Sequence, residues 1–227
     1  LSVEQVAPLW HTALFAVFFF ALAIGGAILQ SHAKATPQSF GQTRQMVPLY
    51  LSLIAMEYGL IAFVKGGIAR RGISVRDILG GDWSTPRKIA TDVAMGLGFW
   101  VVWMGVLAAW NAFFSSSAAV SMYTPPRRAL EVVLWIAVSI SAGISEEFAF
   151  RGYLQRQFGA LTGSRWIAVV LQAILFGVAH SYEGWRAAIH IVSFGLIFGL
   201  IAIWRKSLRP GIVAHAFTDI MAGLFGL

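Results

Sequence analysis

Apolar residues run through this chain in long blocks, near 9–29, 46–64, 89–114, 129–145, 166–179, 187–204 and 210–227, separated by short polar stretches. A helix needs roughly 20 mostly apolar residues to cross a hydrocarbon core about 30 Å thick. The pattern predicts an all-α, polytopic transmembrane helical bundle of about seven membrane helices. The connections are short and no linker or repeat interrupts them, so residues 1–227 read as one membrane domain. The first block lacks a charged leading region and a small-residue cleavage site, so it reads as a membrane helix.

Composition agrees with the pattern. Hydrophobic residues make up 58% and charged residues 12%, against roughly 25% charged in an ordinary soluble domain. The absence of cysteine excludes disulfides, thiolate metal sites and cysteine nucleophiles. A net charge of +7 would suggest an anionic partner in a soluble protein. Here the basic residues sit between apolar blocks, where membrane orientation explains them, and nucleic acid is not an expected partner.

The densest basic connection, 65–88, holds Lys65, Arg70, Arg71, Arg76, Arg87 and Lys88, and by the positive-inside rule it faces the cytoplasm. The N-terminus then lies inside, and the loops 31–44 and 115–126 outside. Arg151, Arg156 and Arg165 flank a second cytoplasmic turn, and Arg205, Lys206 and Arg209 a third. Trp10, Trp83, Trp166, Trp185 and Trp204 stand at segment edges, as an interfacial aromatic belt requires. The Gly195-x-x-x-Gly199 pair reads as close helix contact.

Ionisable groups inside a bilayer cost at least about 2.5–3.5 kcal/mol at a helix centre and need a partner or a purpose. Three clusters stand out. In Ser145-Glu146-Glu147-Phe148-Ala149-Phe150-Arg151, Glu147 and Arg151 are spaced i,i+4 with the acid first, the favourable order for an ion pair; Glu146 is rotated by about 100° and stays free of it. Taken alone, this reads as a solvated helix end. Phe176-Gly177-Val178-Ala179-His180 closes a later block, and Thr162-Gly163-Ser164 is the simplest turn between the two. Glu146 lies 163 − 146 = 17 residues before Gly163, and His180 lies 180 − 163 = 17 after it, so an antiparallel hairpin brings them to one height. His215 and Asp219 share a face of the last helix, which starts at Pro210-Gly211. His11 and His190 read as hydrogen-bonded packing residues. Glu57, inside the second block, either joins the site or bonds a neighbouring helix, and Glu183 reads as a loop acid. One carboxylate, two histidines and a further acid on three helices amount to machinery that holds and deprotonates a water and stabilises an oxyanion.

Glu146-Glu147-x-x-x-Arg151, Phe176-x-x-x-His180 and His215-x-x-x-Asp219, in this order and spacing, resemble the CPBP family of membrane proteins. That family includes CAAX prenyl endopeptidases of the Rce type and bacteriocin-immunity-like proteins. The resemblance covers roughly 130–227, a catalytic half within the single domain. It implies that Glu146 activates a water with His180, that His215 and the Asp219 position stabilise the oxyanion, and that Glu147, Arg151 and Phe176 support them. The eukaryotic CAAX branch usually has Asn at the position of Asp219, and an ionised Asp repels an oxyanion, so Asp219 is either protonated or orients His215. No metal is the preferred expectation, with zinc on Glu146, His180 and His215 as the alternative; the His-Glu-x-x-His helix that would make zinc compelling is missing.

The expected activity is hydrolysis of a peptide bond in a membrane-associated polypeptide, prenylated CAAX-type ends being one class. The expected partners are the lipid bilayer and that substrate, and the expected place a prokaryotic cell membrane, crossed many times. The competing readings are a non-catalytic scaffold or bacteriocin-immunity protein of the same family, and a transporter relaying protons through Glu57, Glu146 and Asp219. Inverted repeats that would favour the transporter are missing. One tension stands: Glu146 is far from the turn at Gly163, while His215 is only six residues past Arg209 (215 − 209 = 6). Either the fourth helix projects into the cytoplasm or the assigned topology is wrong.

Overall fold

A computed structural model describes residues 4–35, 46–113 and 125–226. The helices are α1 (Leu9–Ala35), α2 (Met46–Ala69), α3 (Val75–Leu79), α4 (Pro86–Phe113) and α5 (Ala129–Glu146); a π-helical stretch (Glu147–Leu154) runs on into α6 (Gln155–Thr162). Then come α7 (Arg165–Ala179), a 3₁₀ turn (Ser181–Glu183), α8 (Trp185–Arg205) and α9 (Arg209–Phe225). The predicted outer loops, 31–44 and 115–126, fall largely outside the described residues. Among the described residues, strand pairing is limited to an isolated bridge between Gly80 and Ser207.

Each of the seven apolar blocks forms a helix among the described residues. Five are long and apolar enough to cross a membrane by length and composition: Leu9–Ile28, Met46–Ala69, Pro86–Phe113, Ala129–Thr162 and Trp185–Arg205. Two of the seven expected spans fall short of that length, α7 with 15 residues and α9 with 17. Both lie against longer helices, α7 beside α8 and α9 beside α4 and α5. Exposed Leu, Ile, Val and Phe side chains cover the outside of the bundle, and Trp10, Trp166, Trp185 and Trp204 are each more than half exposed. That is the inverse of a soluble surface and suits lipid as the solvent.

The run from Ala129 to Thr162 is one helix of 34 residues, about 50 Å long at 1.5 Å per residue. It exceeds a bilayer core of about 30 Å, which accounts for the depth mismatch between Glu146 and His215. At its start, Glu131 accepts from the backbone N–H groups of Arg127 and Arg128 after Pro125-Pro126. At its end, Gly163 takes the left-handed conformation, φ +68°, that stops a helix, and Ser164 caps α7 by accepting from Ile167 N. The hairpin turn is thus where the sequence put it.

Polar cross-links gather at the end of the bundle that holds the basic connections. Arg156 donates to Asp77 O and Ile78 O, both at 2.8 Å, fastening α3 to α6. Gln157 holds the chain before α1 by accepting from Val6 N and Ala7 N and donating to Ala7 O. Leu208 N donates to Leu79 O at the turn between α8 and α9.

Close helix approach sets the position of α9. A Cβ added at Gly143 would lie 2.9 Å from Ala216 N and 3.1 Å from Ile212 O. Gly143→Ala therefore pushes α9, and His215 with it, away from α5. We expect a loss of about 1–3 kcal/mol from overpacking, read as a lower melting temperature in detergent. The Gly195-x-x-x-Gly199 pair plays the expected contact role: a Cβ at Gly195 would lie 2.8 Å from Ala173 Cα.

Candidate active site

Each motif arrives on a different helix, and the hairpin at Gly163 and the packing of α9 on α5 bring them together. Glu146 closes α5 in the middle of the long helix. Its carboxylate lies 3.9 Å (Oε1) from His180 Nε2 at the end of α7, and 3.6 Å (Oε2) from His215 Nε2 on α9. Asp219 Oδ2 lies 3.8 Å from the same His215 nitrogen. These separations exceed a hydrogen bond and leave space between the groups. The Glu146 and His180 side chains are each 17% exposed, His215 6% and Asp219 32%, so the cluster is recessed and reachable.

Both histidines are oriented by their other nitrogen. His180 Nδ1 is 2.8 Å from Phe176 O; a carbonyl only accepts, so Nδ1 carries a proton and Nε2 is the nitrogen that faces Glu146. His215 Nδ1 donates to Glu147 Oε1 at 3.0 Å. Glu147 also meets Arg151 at 3.1 Å, and both are fully buried. Motif spacing alone pairs Glu147 with Arg151; that this carboxylate also aims His215 becomes visible only once α9 is docked. His215 Nε2 then faces the carboxyl groups of Glu146 and Asp219.

Phe176 packs against the Arg151 guanidinium, 4.3 Å from its ring centroid, and its ring lies 4.6 Å from that of His180. The π-helical stretch follows directly on Glu146; such stretches are frequent at functional sites, and nothing in the residue pattern of 147–154 signals one. Glu57 of α2 is buried and accepts a hydrogen bond from Ser145, the residue before Glu146. Of the two readings open for it, the hydrogen bond to a neighbouring helix is the one the structure shows.

His11 is the packing residue expected, bonded to Tyr153 Oη and Phe63 O at 2.9 Å each. His190 packs too, but by stacking on Trp103 at 4.6 Å, while its Nε2 has no hydrogen-bond partner. Its expected hydrogen bond is corrected to ring stacking. Among the described residues no group of three or more His, Asp or Glu side chains is arranged to hold a metal ion. The steps proposed below run through protein side chains and water.

Glu183, in the 3₁₀ turn beyond His180, is half-buried. Burial pushes its carboxyl above the usual range; His180 opposes the shift and Glu146 adds to it. A raised folded value makes ionisation cost stability, a cost absent below the unfolded value, about 4.3, and growing as pH rises through the folded one. Glu183→Gln is thus expected to raise the melting temperature at neutral pH, with the gain vanishing near pH 4. An unchanged difference across that range would contradict the burial argument.

The geometry is that of the motifs from which the family resemblance was drawn, and residues 128–221 match the family described as type II CAAX prenyl endopeptidase, Rce1-like. That region, less than half of the chain, is similar to this family. No curated protein and no solved structure matches the chain. The Rce1-like region contains Glu146, Glu147, Arg151, Phe176, His180, His215 and Asp219, while Glu57 lies outside it. The matched region is similar to a protease family, and the five long apolar helices fit an integral membrane protein.

Proposed function

We propose that this protein is an intramembrane endopeptidase that hydrolyses a peptide bond of a membrane-associated polypeptide, with prenylated CAAX-type ends as the first substrate class to test. The observation that carries the reading is the open gap between Glu146 and His180, 3.9 Å across, which suits a water held by both. Glu146 takes the proton of that water as it attacks the carbonyl carbon, and His180 Nε2 accepts its second hydrogen bond. His215, oriented by Glu147, donates from Nε2 to the oxyanion as charge develops. Glu146 then returns the proton to the leaving amine. Asp219, in protonated form, is a second donor on the same side. In its ionised form it holds His215 charged.

The test is cleavage of a panel of membrane-anchored and prenylated peptides by detergent-purified protein, wild type against His180→Ala, each with and without a chelator. Chelator-resistant cleavage that falls by about 100-fold or more in His180→Ala is expected. Cleavage by His180→Ala at the wild-type rate would overturn the mechanism. Chelator-sensitive cleavage would return zinc to the site, and a panel left intact by every form would favour the scaffold reading. Assignment to a prokaryotic cell membrane belongs to the same proposal, checked by fractionation of the source cells.

A further inference from the structure

A second recess lies on the far side of Arg151, toward the turn between α8 and α9. It encloses about 220 Å³ between Arg151, Gln155, Arg156, Lys206 and Ser207, with an apolar wall from α8. Three cationic side chains line it, and no carboxylate does. Arg151 is 1% exposed, and among the described residues its Nε and both Nη atoms lack a hydrogen-bond partner, the Glu147 carboxylate meeting it only as an ion pair. An unsatisfied buried guanidinium is costly. Arg156 has Asp77 as a counter-charge, but water in the recess would leave Lys206 without a carboxylate partner on the recess wall.

Lys206 adds a second, independent sign. Among the described residues it is the one non-glycine residue at positive φ, 49°, where it ends α8 in the left-handed conformation. Glycine suits that backbone better, so a lysine there is held against local preference, a pattern that points to a functional demand. Ser207, buried beside it, places a hydroxyl on the same wall.

We propose that this recess binds a phosphate-bearing anion, its oxygens held by the Arg151 fork, Lys206 and the Ser207 hydroxyl. Planar guanidinium donors match phosphate oxygens in pairs, and the recess opens among the basic connections, where anionic headgroups of a bilayer collect. The anion completes the hydrogen bonding of Arg151, which itself holds Glu147. Binding is a property of the recess and stands or falls apart from peptide hydrolysis.

The experiment titrates the detergent-purified full chain with short-chain phosphatidylglycerol, inorganic phosphate and short-chain phosphatidylcholine, and reads the melting temperature. Lys206→Gly removes one cation while relieving the backbone; Arg127→Gly makes the same charge change at the far end of the long helix. A saturable rise with an anionic probe is expected, its midpoint weakened about tenfold in Lys206→Gly, as for one charge-assisted hydrogen bond, and unchanged in Arg127→Gly. A response to phosphatidylglycerol identifies a lipid headgroup, and a response to inorganic phosphate alone a free anion. Failure of both anions to raise the wild-type melting temperature, an equal response to phosphatidylcholine, or an unshifted midpoint in Lys206→Gly would overturn the proposal.

Discussion

Glu146→Gln is expected to lower peptide hydrolysis by about 10²–10⁴-fold, the usual worth of a positioned general base, with little change in stability. The two halves of that expectation have separate causes. Glutamine fills the same volume and still faces His180 and His215, but its amide has no basic oxygen to take a proton from water. Glu146 is also partly exposed and meets both histidines at 3.6 Å or more, so its removal breaks no buried hydrogen bond. The measurement is single-turnover cleavage of a substrate from the peptide panel, beside a melting curve of the same preparation. Wild-type turnover in Glu146→Gln would remove this residue from the chemistry. Its melting temperature separates that result from simple misfolding.

The carboxylate next in sequence should behave in the opposite way. Glu147 is the buried counter-charge of Arg151, both side chains being at most 1% exposed. Truncating one member of a buried ion pair strands the other, at a cost of about 3–5 kcal/mol. In Glu147→Gln this corresponds to a fall in melting temperature of roughly 6–20 °C at this chain length. Joining Glu147→Gln to Arg151→Met should recover much of that stability, since the stranded charge is gone and methionine packs against Phe176, Phe194 and Phe198 as the guanidinium does. Hydrolysis should stay low in the double variant, because His215 Nδ1 has lost the carboxylate that aims it. Full activity in the stable double variant would show that Glu147 serves the fold alone. Two adjacent glutamates, one rotated toward a gap and one sealed in the core, thus carry separable duties.

Much of this arrangement is legible before folding. The apolar blocks announce the helices, and Gly163 announces the turn. The equal spans of 17 residues on either side of it place Glu146 opposite His180, because both arms of an antiparallel hairpin rise by the same amount per residue. The pairing of Glu147 with Arg151 follows from i,i+4 spacing in the same way. Such relations depend only on regular backbone geometry, so the order of residues is enough to predict them.

Contacts that depend on how separate helices dock are another matter. The hydrogen bond of Glu147 to His215 joins residues 68 apart in sequence, and the bond of Ser145 to Glu57 joins residues 88 apart; no spacing rule reaches so far. The π-helical stretch and the left-handed Lys206 are likewise set by packing, where a local cost is offset by contacts made elsewhere. By itself, the sequence determined an all-helical membrane chain, its hairpin and the side chains able to do hydrolytic chemistry. Tertiary structure decided which carboxylate orients His215, and that Arg151 borders an open basic recess, because hydrogen bonds and ion pairs act over a few ångströms and only the docked bundle brings distant residues within that range.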